Sequence, residues 1–269
     1  MNLIHLSSFS YTLRTMTFKK TALSLVLVAF LFLAVWVWRG SGEDKSLPGF
    51  TDRPSESTSL LTPAPTSSRS ISPKDESLLL IQVPFTSQAP FGEWSDDRFQ
   101  DGCEEASVMM AAYWLRGKSI TPDKAREEII AISKYETDIY GDYHDTSAQD
   151  TADRILKGYY GHSKYVVKYD FEAQDIINVL EEGKIAILPM NGQILGNPNY
   201  TAPGPDRHML VVIGYDPDLK QFITNDPGTR LGKSYRYSVN KFMSSIRDYP
   251  TGEHAPITQV RKAMIIVSK

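Results

Sequence analysis

The chain has 269 residues, 41% hydrophobic and 23% charged, with a formal charge of -3. That balance belongs to a chain that folds around a core, and it excludes the disordered and collagen-like classes. Acidic residues slightly outnumber basic ones and no stripe of Lys and Arg is present to displace counterions, so nucleic acid is excluded as a partner.

Residues 1–20 form an N-terminal tail, in which Met16 offers a second start, and Lys19 and Lys20 close it. Residues 21–38, TALSLVLVAFLFLAVWVW, then run without a charge. At helical rise that is roughly 27 Å, the thickness of a bilayer's hydrocarbon layer, so the run predicts one transmembrane anchor. Trp36 and Trp38 suit the interface at its far end, and AVWVWRGSG has no small-x-small site at which a signal peptidase would cut. Basic residues flank both sides. The nearest flank and the short tail predict a single-pass protein of the cell membrane with its large domain extracytoplasmic. Residues 39–76 are dense in Ser, Thr and Pro and bury too little apolar surface to offset ordering entropy, which reads as a disordered linker.

Residues 77–269 have the size of one domain and show no internal repeat. A short strand, LLLIQV (78–83), comes first. The stretch CEEASVMMAAYWL (103–115) is apolar almost all round, as a helix enclosed by other elements is. Thr121-Pro122 supplies a cap and a first-turn proline for TPDKAREEIIAIS, Ser147 caps AQDTADRILKG, and EAQDIINVLEEG stops at Gly183. The acidic, tyrosine-rich YETDIYGDYHD reads as a solvated loop near the cleft. YVVKY, KIAILPM, HMLVVIGYD, QFITND and AMIIVS follow as strands. Helices first and strands later predict an α+β fold.

Cys103 is the only cysteine, and it stands after an Asp-Gly turn at the first position of the apolar helix. The helix dipole and free N–H groups there favour a thiolate, although Glu104 and Glu105 oppose it. On location alone a structural thiol stays open. A nucleophile needs a base. Of the five histidines, His5 precedes the apolar run and His144, His162 and His254 lie in polar, surface-like contexts. His208 opens a strand after the long loop 191–207. One hairpin later, QFITNDPGT brings an acid within reach of it. Alternation places Phe222, Thr224 and Asp226 on one strand face and Asn225 on the other, so one of Asn225 and Asp226 can face His208.

VPFTSQAP, GCEEASVMMAAYW, RHMLVVIGYD and NDP, in that order, resemble the successive motifs of the peptidase C39-like, papain-fold cysteine peptidases, over residues from about 80 to the C-terminus. The resemblance implies a papain-like α+β fold with a buried helix beginning at the cysteine and an antiparallel sheet behind it. It implies Cys103 as nucleophile, His208 as base and acid, and Asp226 orienting the imidazole. A glutamine upstream of the cysteine completes the family's oxyanion hole: Gln88 fits the motif, with Gln100 as the competitor. No metal or cofactor is implied, and the sequence holds no zinc motif or P-loop. The expected activity is a membrane-anchored thiol hydrolase that cleaves peptide or isopeptide bonds through an acyl-enzyme. Two alternatives stand beside it: an amidase or acyltransferase acting on cell-wall peptides, and a peptide-binding module without catalysis. The partners expected are a peptide or protein substrate and, through the N-terminal helix, a membrane.

Overall fold

A computed structural model describes residues 77–269. The expected tail, span and linker at residues 1–76 lie outside the described residues, among which no helix is long and apolar enough to cross a membrane. In chain order the elements are β1 (Leu79–Leu80), α1 (Asp97–Gln100), α2 (Cys103–Leu115), α3 (Pro122–Tyr140) and α4 (Ala148–Asp150). The last of these runs straight into a π-helical stretch, Thr151–Tyr159. Then come β2 (Tyr165–Tyr169), α5 (Ala173–Glu181), β3 (Ile185–Met190), α6 (Gly192–Leu195) and β4 (His208–Asp216). The chain closes with β5 (Gln221–Asn225), β6 (Tyr235–Ser238), α7 (Val239–Ser245) and β7 (Ala263–Val267). All strand pairs are antiparallel and form one seven-stranded sheet in the order β2-β7-β3-β4-β5-β6, with β1 on the end of β4 that β3 leaves free. The α+β layout read from the sequence is the one observed.

The sheet is covered on both faces, which is why β3 and most of β4 are apolar without alternation. Met209, Val211 and Ile213 pack among Val108, Met109 and Ala112 of α2, while Leu210 and Val212 pack on the other side with Ile176 and Leu180 of α5 and Phe242 of α7. Beyond α2 lie Ile132 of α3 and Ile155 and Leu156 of the π-helical stretch. Thus α2 is enclosed all round, and each large aliphatic side chain it shelters contributes about 1.5–3 kcal/mol. Its head, where Cys103 sits, is therefore fixed by the core. Ser107 Oγ adds a hydrogen bond to the carbonyl of Met209 at 3.1 Å, pinning α2 to β4 beside its first residues. Gly102 makes the entry possible: a Cβ there would come within 2.5 Å of the Arg98 carbonyl oxygen and 3.3 Å of an Ile129 methyl.

Three sequence readings are corrected in detail. YETDIY belongs to α3, which runs on to Gly141 at φ +86°, so only the second half of the supposed solvated loop is a loop. The helix reads as ending early because its inner face, with Ile129, Ile132 and Ser133, continues through a buried glutamate, Glu136, where an apolar residue is the usual occupant. The helix capped by Ser147 turns π after Asp150, since over nine residues an apolar stripe does not separate 3.6 residues per turn from a wider winding. β5 stops at Asn225, leaving Asp226 just beyond it.

Candidate active site

Cys103 is the first residue of α2 and only 6% exposed. Its thiol donates to Glu104 Oε2 at 2.9 Å, and none of its hydrogen bonds goes to His208. Burial, followed by the charge of Glu104, pushes the thiol well above its ordinary range and outweighs the helix terminus, which alone would lower it. Glu104 is itself buried. Its Oε1 accepts from the Tyr249 hydroxyl at 2.7 Å and from the Thr146 N–H at 3.3 Å. Burial raises this carboxyl to about 7, against the lowering effect of the hydrogen bond from Cys103.

His208 and Asp226 reach each other through strand alternation. Thr224 pairs directly with Val212, and the bulge in β4 comes after Val212, so positions 208, 210 and 212 share a face with 224 and 226. Of the two candidates one hairpin away, it is Asp226 that faces the imidazole: His208 Nε2 and Asp226 Oδ1 are 2.8 Å apart and both side chains are buried. Asn225 points the other way and donates to the carbonyls of Val83 and Pro84. Asp226 also accepts from the Gly228 N–H at 3.0 Å on Oδ1, and from Tyr200, Tyr237 and Asn197 at 2.6, 2.5 and 3.2 Å on Oδ2. Burial works against the carboxylate, but the charge and hydrogen bond of His208 and the tyrosine hydroxyls hold it below the usual range. With Nε2 committed to Asp226, Nδ1 is the imidazole nitrogen left for proton exchange. Tyr200 packs edge-on against the ring at 5.4 Å. Gly228 is required by the same crowding, because a Cβ there would lie 2.9 Å from His208 Cε1 and from Tyr200 Cε1.

A cavity of about 660 Å³ is lined by Gln88, Gln100, Cys103 and His208 together with Tyr200 and Arg207. Gln88 Nε2 gives both hydrogens to the carbonyls of Phe99 (3.0 Å) and Gln100 (2.8 Å), which tethers the approach to α2, and its buried Oε1 has no partner. Gln100 is exposed at the end of α1. Among the described residues no group of three or more His, Cys, Asp or Glu side chains is arranged to hold a metal ion.

The structure therefore brings Cys103, His208 and Gln88 to one cavity, with Asp226 behind the imidazole. His254, read as a surface residue, is exposed on the rim of the same cavity. Tyr200, Tyr237, Asn197 and Tyr249 escaped the sequence reading, which named Glu104 as opposing the thiolate. Glu104 carried a local signal, its place beside the lone thiol; the others meet the site from the long loop, β6 and the C-terminal segment.

The Peptidase_C39 like family matches residues 80–251, a span that takes in all four of Gln88, Cys103, His208 and Asp226. Solved structures that match include one described as a C39-like peptidase from Bacillus anthracis, at 13% identity and a TM-score of 0.44, covering 72% of this chain and 99% of that one. No curated protein matches.

Proposed function

The chain belongs to the Peptidase_C39 like family, and from that membership and the cleft we propose that it is a cysteine peptidase acting on peptide or isopeptide bonds through an acyl-enzyme on Cys103. One observation carries the reading: a lone thiol and an imidazole with Nε2 fixed on a buried carboxylate line the same cavity.

In this mechanism the thiol proton passes to His208 Nδ1 and the sulfur attacks the substrate carbonyl carbon, forming an S–C bond. His208 then protonates the leaving amine as the C–N bond breaks. Water attacks the thioester, gives its proton to His208 and releases the acid, and the sulfur takes the proton back. Asp226 supports the imidazolium throughout. The Cys103 backbone N–H, at a helix N-terminus where no intrahelical partner exists, supplies one oxyanion donor. Gln88 supplies the second by releasing one of the two carbonyls it now holds.

The membrane attachment and extracytoplasmic placement are part of the same proposal, supported by the uncharged run 21–38 and the Ser/Thr/Pro-rich stretch 39–76. Hydrolysis of a peptide library and of cell-wall peptides by the full chain, compared with Cys103→Ala, tests the reading. Loss of hydrolysis in the variant is expected; hydrolysis at the parental rate overturns it.

A further inference from the structure

The aspartates and arginines that line the cavity are compensated, with two exceptions. The Arg207 guanidinium lies 3.4 Å from Asp145 and 3.6 Å from Asp206 and donates to the carbonyl of Ala255 at 2.7 Å. Asp206 takes a second guanidinium, that of Arg247, at 2.7 Å. Asp101 and Arg230 have no ion pair and no side-chain hydrogen bond among the described residues. Arg230 is exposed in the loop after Asp226, where water and salt screen it. Asp101 is half-buried and stands two residues before Cys103. We propose that Asp101 is a specificity-determining residue and that the substrate is a peptide with a lysine or arginine beside the bond that is cut, its charged head seated on the Asp101 carboxylate. This rests on the reading of Cys103 as the nucleophile.

The position of Asp101 sets the reach. Two residues of chain span at most about 7 Å, so its α-carbon lies within that distance of the residue whose sulfur would take the acyl group. The backbone between them is held on both sides. The Asp101 N–H donates to the Asp97 carbonyl at 2.9 Å, and Gln88 Nε2 holds the carbonyls of Phe99 and Gln100. The carboxylate is therefore carried on fixed backbone close to the reacting carbonyl. A lysine or arginine on a residue adjoining the cut bond reaches it with its apolar stem laid along the cleft and its charge at the far end.

A cation is the complement that the surroundings of Asp101 lack. Partial burial of a carboxylate without a partner costs free energy, and a charge-assisted hydrogen bond from a substrate cation recovers it. The neighbouring side chains do not supply one. Arg98, on α1, is engaged by Asp96 through Nε at 2.9 Å and Nη2 at 2.6 Å, and His144 Nδ1 is engaged by Asp142 at 2.6 Å. His254 is exposed on the rim. Asp145, from the loop after α3, adds a second negative charge nearby: burial, followed by the charge of Asp145, pushes the Asp101 carboxyl upward, and a bound cation opposes both.

Paired peptides that differ only in lysine or norleucine at each residue adjoining the cut bond test this with the full chain, because norleucine keeps an apolar stem and lacks the charge. For the parent, kcat/KM on the lysine peptide is expected to exceed that on the norleucine peptide by about tenfold or more, and the ratio should shrink as salt is raised. Asp101→Asn should bring the ratio to about one, and Asp101→Lys should make glutamate preferred over glutamine at the same place. Binding of the same peptides to Cys103→Ala, measured by calorimetry, reads the preference a second time without a change at position 101, should those variants fold poorly. Equal rates and equal binding for lysine and norleucine, or a lysine preference that persists in Asp101→Asn, overturn the role of Asp101. A parent that prefers glutamate overturns it too and moves recognition to Arg230. Failure of the parent to cleave any peptide, or cleavage that survives Cys103→Ala, overturns instead the peptidase reading beneath it, and the binding ratio still decides on Asp101.

Discussion

Replacing Glu136 by Gln should flatten the loss of stability above neutral pH. Glu136 is fully buried on α3 with no hydrogen-bond partner for either oxygen, and Glu105 Oε2 lacks one as well, while Glu105 Oε1 takes the Ser133 hydroxyl at 3.2 Å. Burial, then the charge of Glu104, raises Glu136 to about 9; burial, then the charge of Glu136, raises Glu105 well above its ordinary range. Between pH 7 and 8 Glu136 in the folded chain therefore keeps a proton that the unfolded chain has shed, and stability falls as pH rises. That proton is worth about 1.4 kcal/mol per pH unit, so the parent should lose about 1.4 kcal/mol more than Glu136→Gln over that unit. Against a total of about 5–15 kcal/mol, the difference is plain in urea midpoints followed by tryptophan fluorescence. A parent whose midpoint is flat from pH 7 to 8, or a variant with the parental slope, would refute the assignment of this proton to Glu136.

Asp226→Asn removes the charge that faces His208 and three side-chain donors, and is expected to lower kcat/KM by about 10³-fold or more with KM little changed, measured on a cleaved peptide. The same carboxylate is held below its usual range, so its contribution to stability is present above pH 3.8 and is lost as pH falls through the lower folded value. The stability gap between parent and Asp226→Asn should accordingly narrow below pH 4 in acid titrations followed by circular dichroism. Gly228→Ala places a methyl group 2.9 Å from His208 Cε1 and should displace the ring, cutting hydrolysis more than about tenfold while costing about 1–3 kcal/mol in urea unfolding; parental turnover in this variant would show that the ring has room to yield.

The parts of the fold that could be read from the sequence are those where one residue carries its own local signal. The enclosed helix α2 is apolar almost all round after its first turn, and its bounds match the reading, as do β2 and the start of β4 at His208. The pairing of His208 with Asp226 followed from alternation across a hairpin, which fixes faces even though a bulge shifts register further along β4. The elements α1, α6, β6 and α7 stayed unread because they are four to seven residues long, too short for a period to show. Around the imidazole the limit was different: Tyr200, Asn197 and Tyr237 are 8, 11 and 29 positions from His208 in the chain, and a tyrosine that donates to a buried carboxylate looks in sequence like any other. Gln88 was legible as a residue but not in its present use, since nothing local shows that its amide spans two carbonyls of the segment before α2.

Two buried carboxyl groups flank the sulfur and the ring, and their surroundings drive them apart. Asp226 has five donors, one of them the imidazole, so burial does not neutralise it. Glu104 has fewer donors, one of them the thiol, with the charge of Asp145 nearby, so burial prevails and it holds a proton up to near neutrality. Pairs of carboxyls separated in this way take opposite parts in acid–base chemistry. The ionised Asp226 favours a positive ring, whereas an ionised Glu104 opposes a negative sulfur. A thiolate–imidazolium pair is therefore supported at the ring and, wherever Glu104 is ionised, opposed at the sulfur. A cysteine at a helix terminus gains thiolate character from the terminus alone; here burial and the neighbouring carboxyl outweigh it, so the alkylation rate of Cys103 should rise in Glu104→Gln and stay in place with Lys or Arg changes on the outer surface.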